Sequence, residues 1–165
     1  MARGSVLQIN VSRGGVPKRP IEQATVTTEG ITGDVHAHPA VHGGPQKAVL
    51  LITSEGIEEL KQAGFPLFYG ALGENITTQG LDRRQMRLGQ RWRIGAATIE
   101  LTRVRVPCAT IQVYGAGIGE AVYDRRVKAG DWSSPRWGLS GFYAAVIEPG
   151  PIRAGDAIVP VDSAV

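Results

Sequence analysis

The sequence predicts a mainly β, α+β domain: a compact, irregular β-barrel with two or three short helices. Three observations carry this. Glycine and proline number 22 and 10 in 165 residues, the punctuation of many short strands and turns. Alternating or β-branched runs recur along the chain, whereas helical periodicity is confined to short stretches. Strands with so few helices to cover them must close into a barrel or pack on a second sheet. At this length a single domain, residues 1–165, is the natural expectation.

Element by element, Ser5–Val11 alternates and is rich in β-formers, a first strand. Gly14–Pro20 is a loop, Ala24–Thr28 a second strand, and Glu29–Pro45 a long glycine-containing loop. Ala48–Ile52 is a buried strand. Thr53 or Ser54 then caps a helix of about ten residues. Glu55, Glu58 and Glu59 sit near its positive end, Ile57 and Leu60 form its apolar stripe, and Gly64 stops it. Asn75–Thr78 is a short strand. Gln90–Ile94 and Ala97–Arg105 flank Gly95-Ala96 as a hairpin. Ala109–Tyr114 reads as a helical turn and Gly119–Lys128 as a second helix. Gly138–Glu148 and Ala157–Val161 close the chain as strands. A glycine turn launches an extended segment twice, at Leu88-Gly89-Gln90 and at Ala154-Gly155-Asp156.

Composition narrows function. Eighteen basic and fifteen acidic residues give a net charge of +3. Basic and aromatic residues do not interleave as in single-strand binders, which argues against nucleic acid. The longest clean apolar run, Ala48–Ile52, is too short to span a membrane. The N-terminus lacks the apolar core of a signal peptide, and one cysteine suits a reducing compartment, so a cytoplasmic location is expected.

That cysteine, Cys108, directly follows Pro107 at the end of a predicted strand. A lone thiol is a small buried hydrophobe, a nucleophile or a metal ligand, and nearby cations such as Arg103 or Arg105 would favour its thiolate. His36, His38 and His42 lie within seven residues of one another. They can form a zinc site, or order their own loop with one imidazole meeting a ligand. Gly43 and Gly44 allow close approach of backbone to a bound group, or simply make a turn. Asn75, in the Gly73-Glu74-Asn75 loop, can hold a heterocycle through its paired donor and acceptor, or satisfy its own backbone. Seven arginines between Arg83 and Arg105 face either an anion or solvent. Trp132 and Trp137, around Pro135, are either a lid or core aromatics.

In series, these segments resemble a known family. Gly30-Ile31-Thr32-Gly33-Asp34-Val35-His36, His42-Gly43-Gly44-Pro45, Leu72-Gly73-Glu74-Asn75, Leu88-Gly89-Gln90-Arg91-Trp92 and Pro107-Cys108 occur in the order and spacing of a MOSC domain. That domain forms the C-terminus of molybdenum cofactor sulfurases and also stands alone in bacteria. The resemblance spans about residues 5–161, including the terminal Pro149–Asp156 block. It implies a barrel of the MOSC or pyruvate-kinase-barrel-like type that binds the molybdenum cofactor, a molybdopterin. Cys108 would be the metal ligand or sulfur-handling residue. Asp34, His36, His42, Gly43, Gly44 and Asn75 would shape the pocket, with Arg105 near the pterin phosphate.

The leading expectation is therefore an oxidoreductase that reduces small N-hydroxylated substrates. One cysteine cannot hold an iron–sulfur cluster, and no dinucleotide fingerprint is present, so electrons would come from a separate donor protein. The alternatives are a non-catalytic carrier of cofactor or sulfur and, more distantly, a zinc hydrolase using His36, His38 and His42.

Overall fold

The computed structural model describes residues 3–34 and 44–161. Its eleven strands are β1 (Gly4–Val11), β2 (Arg19–Ile21), β3 (Gln23–Thr27), β4 (Gly30–Ile31), β5 (Val49–Thr53), β6 (Ile76–Gln79), β7 (Arg91–Ile94), β8 (Ala97–Val104), β9 (Phe142–Glu148), β10 (Gly150–Arg153) and β11 (Ala157–Pro160). The main sheet runs β11-β7-β8-β9-β5-β6-β1-β2, and β1 also pairs with β11 through Gly4↔Ile158 and Ser5↔Ala157. This closes seven strands into a barrel and leaves the short β2 on the far end of β1. A second sheet, β10-β3-β4, lies beside it. Closure removes the unpaired edges that a sheet of short strands would otherwise expose.

β5 is buried at all five positions because it runs through the middle of the sheet. It pairs parallel with β6, and the crossover contains helix α1 (Ser54–Gln62). Thr53 caps α1, its hydroxyl accepting from the Gly56 amide at 3.1 Å. The chain leaves α1 through Gly64 at φ 105°. The expected second helix is two: α2 (Ile118–Val122) and α3 (Arg125–Lys128). The break has a physical cause. Tyr123 is extended, and Asp124 restarts the helix by accepting from the Val127 amide at 2.8 Å. β2, β4 and β10 are strands where the sequence predicts loop. They are two to four residues long and take their pairing from tertiary context. Conversely, Gly138–Gly141 is a turn ahead of β9.

Two apolar clusters hold the molecule. One fills the barrel, with Ile9, Leu51, Ile76, Trp92, Ile94, Ile99, Leu101 and Phe142 among its buried members. The other lies outside, where Ile52, Ile57, Leu60, Leu72, Ile111 and Ile118 pack α1 against the segment that follows Cys108. Each fully buried Leu or Ile side chain contributes about 1.5–3 kcal/mol, so this second cluster anchors the thiol-bearing segment to the barrel wall. No helix among the described residues is long and apolar enough to cross a membrane.

Candidate functional site

The site begins with a bulge in β8. Leu101 pairs with Ala144 and Arg103 with Tyr143, so Thr102 is an extra residue with no partner of its own. Side chains alternate along a strand with a period of two, and one inserted residue flips everything beyond it. Ile99 and Leu101 point into the barrel, and after the bulge Val104 packs against that same core. Arg103 and Arg105 are thereby turned away from the barrel interior. Thr102 hydroxyl donates to the Gln46 and Tyr143 carbonyls, tying the bulge to the short 3-10 turn at Pro45–Lys47.

Beyond β8 the backbone is pinned at Arg105. Its amide donates to the Gly141 carbonyl at 2.9 Å, and its carbonyl accepts from the Ser140 hydroxyl at 2.6 Å. Gly141 is required there: it sits at φ 105°, and a Cβ would lie 2.8 Å from Ile52 Cγ1 and 2.9 Å from the Leu51 carbonyl. Pro107 then leads to Cys108, which immediately precedes a 3-10 helix, Ala109–Tyr114, anchored by buried Ile111.

Cys108 is half-buried. Burial alone would push its pKa up. The Thr110 hydroxyl, which contacts Sγ, the Thr110 backbone and the Arg105 charge together outweigh burial and hold the thiol below its ordinary value. Arg105 is only 5% exposed, and among the described residues its Nη1 has no hydrogen-bond partner. A buried guanidinium with an idle donor is costly unless something accepts from it.

The opposing charge is Glu74, which is fully buried. Its Oε2 accepts from the Gly70 amide and the Thr77 hydroxyl, both at 3.0 Å, while Oε1 has no partner among the described residues. Burial raises its pKa, against the pull of those hydrogen bonds and of Arg105. Two tyrosines complete the surroundings. Burial raises Tyr143, which also feels Arg105 and Cys108, and Lys47 Nζ lies 5.5 Å from the centre of its ring. Burial raises Tyr114 too, and it senses both Arg19 and Glu74.

Beside this cluster stands a buried polar staple. Asp34 Oδ1 accepts from Lys18 Nζ at 2.6 Å and from the Ser12 amide at 2.9 Å, and its Oδ2 accepts from Asn75 Nδ2 at 2.8 Å. Asn75 Oδ1 accepts from the Leu50 amide at 3.0 Å. These bonds tie the β1–β2 loop, the end of the β4 turn, β5 and the start of β6 together. Gly70 permits the approach of the Lys18 backbone, whose carbonyl a Cβ at Gly70 would strike.

The structure thus brings Cys108 and Arg105 together. Asp34 and Asn75 lie in one network, but their polar atoms are engaged within the protein. Gly44, at φ 102°, precedes the Pro45–Lys47 turn. His36, His38, His42 and Gly43, and with them the zinc reading, lie outside the described residues. The arginine-rich stretch does not form one anion-facing surface. Arg83 is buried against Glu59 and the Trp137 carbonyl, Arg84 pairs with Asp82, and Arg91 pairs with Glu100. The two tryptophans part company: Trp137 is a buried anchor donating to the Met86 carbonyl at 2.9 Å, and Trp132 is exposed beneath Arg87.

Sequence reasoning missed Lys18 and Thr110. It also missed the bulge, which has a readable signal. Ile99 and Leu101 keep one parity, whereas Val104 and Val106 keep the other.

The molecule is thus a small, closed seven-stranded barrel domain that presents one thiol beside a buried guanidinium. The comparison with known families is specific: the MOSC domain profile matches residues 38–159, and the chain belongs to that family, which is associated with molybdenum cofactor binding. The chain is 30% identical over 143 residues to the uncharacterized protein YflK of Bacillus subtilis, covering 86% of this chain and 60% of the relative. It is 31% identical over 98 residues to the protein YiiM of Escherichia coli, covering 56% of this chain and 44% of the relative. The chain thus spans about half the length of these curated relatives. The crystal structure of YiiM from Geobacillus stearothermophilus superposes with a TM-score of 0.71 at 24% identity, over 96% of this chain and 75% of the other, which shows a shared fold.

Proposed function

We propose that this protein is a molybdenum-cofactor-dependent oxidoreductase that reduces small N-hydroxylated compounds. The observation that carries the reading is the pairing of a half-buried thiol, held below its ordinary pKa, with a buried Arg105 whose Nη1 lacks an acceptor. The two fit the cofactor's two ends. A thiolate is a suitable soft ligand for molybdenum, and a guanidinium is a suitable partner for the pterin phosphate. Bound there, the cofactor would supply a metal able to accept an oxygen atom while giving up two electrons, which the donor protein would restore.

In this reading Cys108 holds the metal, and Thr110 and Arg105 together lower the thiol's pKa. The Asp34–Lys18–Asn75 staple holds together the loops and strand ends beside the thiol, and His36, His42, Gly43 and Gly44 are the residues the family resemblance assigns to the ligand. Thr110 steadies the thiolate. The net reaction is R–NH–OH + 2 e⁻ + 2 H⁺ → R–NH₂ + H₂O: the N–O bond breaks, protons come from solvent, and a separate donor protein is oxidised. The test loads the protein with cofactor in cells that make it, then assays reduction of a small amidoxime with a chemical electron donor. Turnover that Cys108→Ser abolishes supports the reading; undiminished turnover in Cys108→Ser contradicts the thiol's role.

The half-exposed thiol also favours a second reading, a non-catalytic carrier that holds cofactor or a persulfide sulfur on Cys108. A labile 32-Da adduct on Cys108 by intact-mass measurement, with no turnover, distinguishes it (the mass being about one sulfur atom).

A further inference from the structure

Charge on this molecule is distributed unevenly. Away from Cys108, five arginines pair with carboxylates, Arg83 with Glu59, Arg84 with Asp82, Arg91 with Glu100, Arg126 with Asp131 and Arg136 with Asp124, whereas Arg87, Arg93, Arg125 and Arg153 have no carboxylate within ion-pair distance among the described residues. What sets the surroundings of Cys108 apart is that the segments themselves lack acidic residues. From Leu101 to Gly119 the sequence carries Arg103 and Arg105 and no acidic residue. From Ser12 to Ile21 it carries Arg13, Lys18 and Arg19 and again none, and Phe65–Gly73 carries no charge at all. Contacts show that these segments meet: Arg19 lies 5.6 Å from the Phe68 ring centre, Phe68 packs edge-on against Tyr114 at 6.2 Å, and Tyr143 lies opposite Arg103. The two carboxylates nearby are both inside, Asp34 against Lys18 and Glu74 fully buried. Among the described residues, exposed Arg19 and Arg103 have no carboxylate within ion-pair distance.

The same face exposes apolar side chains. Val113 is 75% exposed, Val106 64% and Phe68 40%, and the two valines flank the thiol in sequence. An apolar centre with an unbalanced charged rim is the composition of a protein interface, in which the rim steers encounter and the centre holds the partner.

We infer that this face is the docking surface for an acidic electron-carrier protein. The inference rests on the proposed reductase reading, which requires electrons from outside the chain. It names the surface through which they arrive and the charge of the protein that brings them. The partner is a reduced carrier that becomes oxidised as it passes its electrons on. A protein is favoured over nucleic acid because the exposed apolar residues include two branched aliphatics, which offer no face on which a base could stack.

The test needs no bound cofactor. The purified protein is titrated with an acidic ferredoxin and an acidic flavodoxin by calorimetry at low and at physiological salt, with a double-stranded DNA oligonucleotide as a competing probe. One carrier should bind at low salt and weaken about tenfold or more at physiological salt. Arg19→Glu, Arg103→Glu and Val113→Asp, all at exposed positions, should each weaken it by about tenfold. Lys128→Glu, on α3, should leave it unchanged. The inference is overturned if neither carrier binds, if Lys128→Glu weakens binding as much as Arg19→Glu, or if DNA binds more tightly and is lost in the same variants. Molybdenum content measured in parallel separates the two claims. Metal without docking removes this surface alone, and docking without metal removes the cofactor reading alone.

Discussion

Replacing Asp34 by Asn tests how much the buried staple stabilises the fold. The Asp34 and Lys18 side chains are only 3% and 8% exposed and meet at 2.6 Å. Removing one charge of a buried pair leaves the other uncompensated, which costs about 3–5 kcal/mol. The two single changes are not equivalent. After Lys18→Met the Asp34 carboxylate keeps the Ser12 amide and the Asn75 amide as donors. After Asp34→Asn the Lys18 ammonium loses its counter-charge and keeps only neutral acceptors, the amide oxygen at position 34 and the Ser12 hydroxyl at 3.5 Å. Asp34→Asn therefore belongs at the upper end of that range and Lys18→Met at the lower. Domains are stable by about 5–15 kcal/mol, so either variant should still fold in the cold. With a urea slope of about 1–3 kcal/mol/M, the Asp34→Asn midpoint should fall by roughly 1.5–5 M. The double variant should lose clearly less than the sum of the singles, because it buries no orphaned charge. Urea unfolding followed by tryptophan fluorescence measures all four proteins. Additive single effects, or a loss below about 1 kcal/mol for Asp34→Asn, would refute the argument.

Three further outcomes follow from the same geometry. Thr110→Val and Arg105→Gln each remove a group that holds the Cys108 thiol down, so the pH midpoint of iodoacetamide alkylation should move upward in both. Glu74 is a carboxyl whose pKa is raised on folding, chiefly by burial. Its contribution is thus fully present below the unfolded carboxyl range of about 4.3 and is lost as pH rises through the raised value. Wild type should lose stability relative to Glu74→Gln across that window in pH-resolved denaturation. Gly141→Ala forces a side chain into φ 105° against Ile52 and the Leu51 carbonyl, and it should lower stability by about 2–4 kcal/mol in thermal melts.

The sequence discloses some of this structure because local chemistry dictates it. The Thr53 cap, the Ile57–Leu60 stripe and Gly64 define α1 without help from elsewhere. Gly95-Ala96 places the β7–β8 hairpin. Cys108 after Pro107 is readable as the end of a strand, though its half-burial is not. What escapes is what depends on partners distant in sequence. Lys18 looks like one base in a proline-flanked loop, and only the fold brings Asp34 to it. Asn75 reads either as a ligand-holding amide or as one that satisfies its own backbone, whereas the structure commits its side chain to Asp34 and the Leu50 backbone. The burial of Glu74 within reach of the Arg105 charge has no local signature. The Thr102 bulge lies between these extremes, since the parity switch from Leu101 to Val104 records it. Trp137 is buried by Met86 and Phe142, which lie 51 and 5 residues away, and no local pattern separates it from Trp132.

The most direct test of the account is the metal and pterin content of the protein purified from cells that synthesise the molybdenum cofactor, beside Cys108→Ser prepared identically. The account predicts near-stoichiometric molybdenum and pterin in the wild type and a large loss of molybdenum in Cys108→Ser, with the fold unchanged by circular dichroism. A wild-type protein free of molybdenum, or a serine variant that retains it in full, would contradict the central claim.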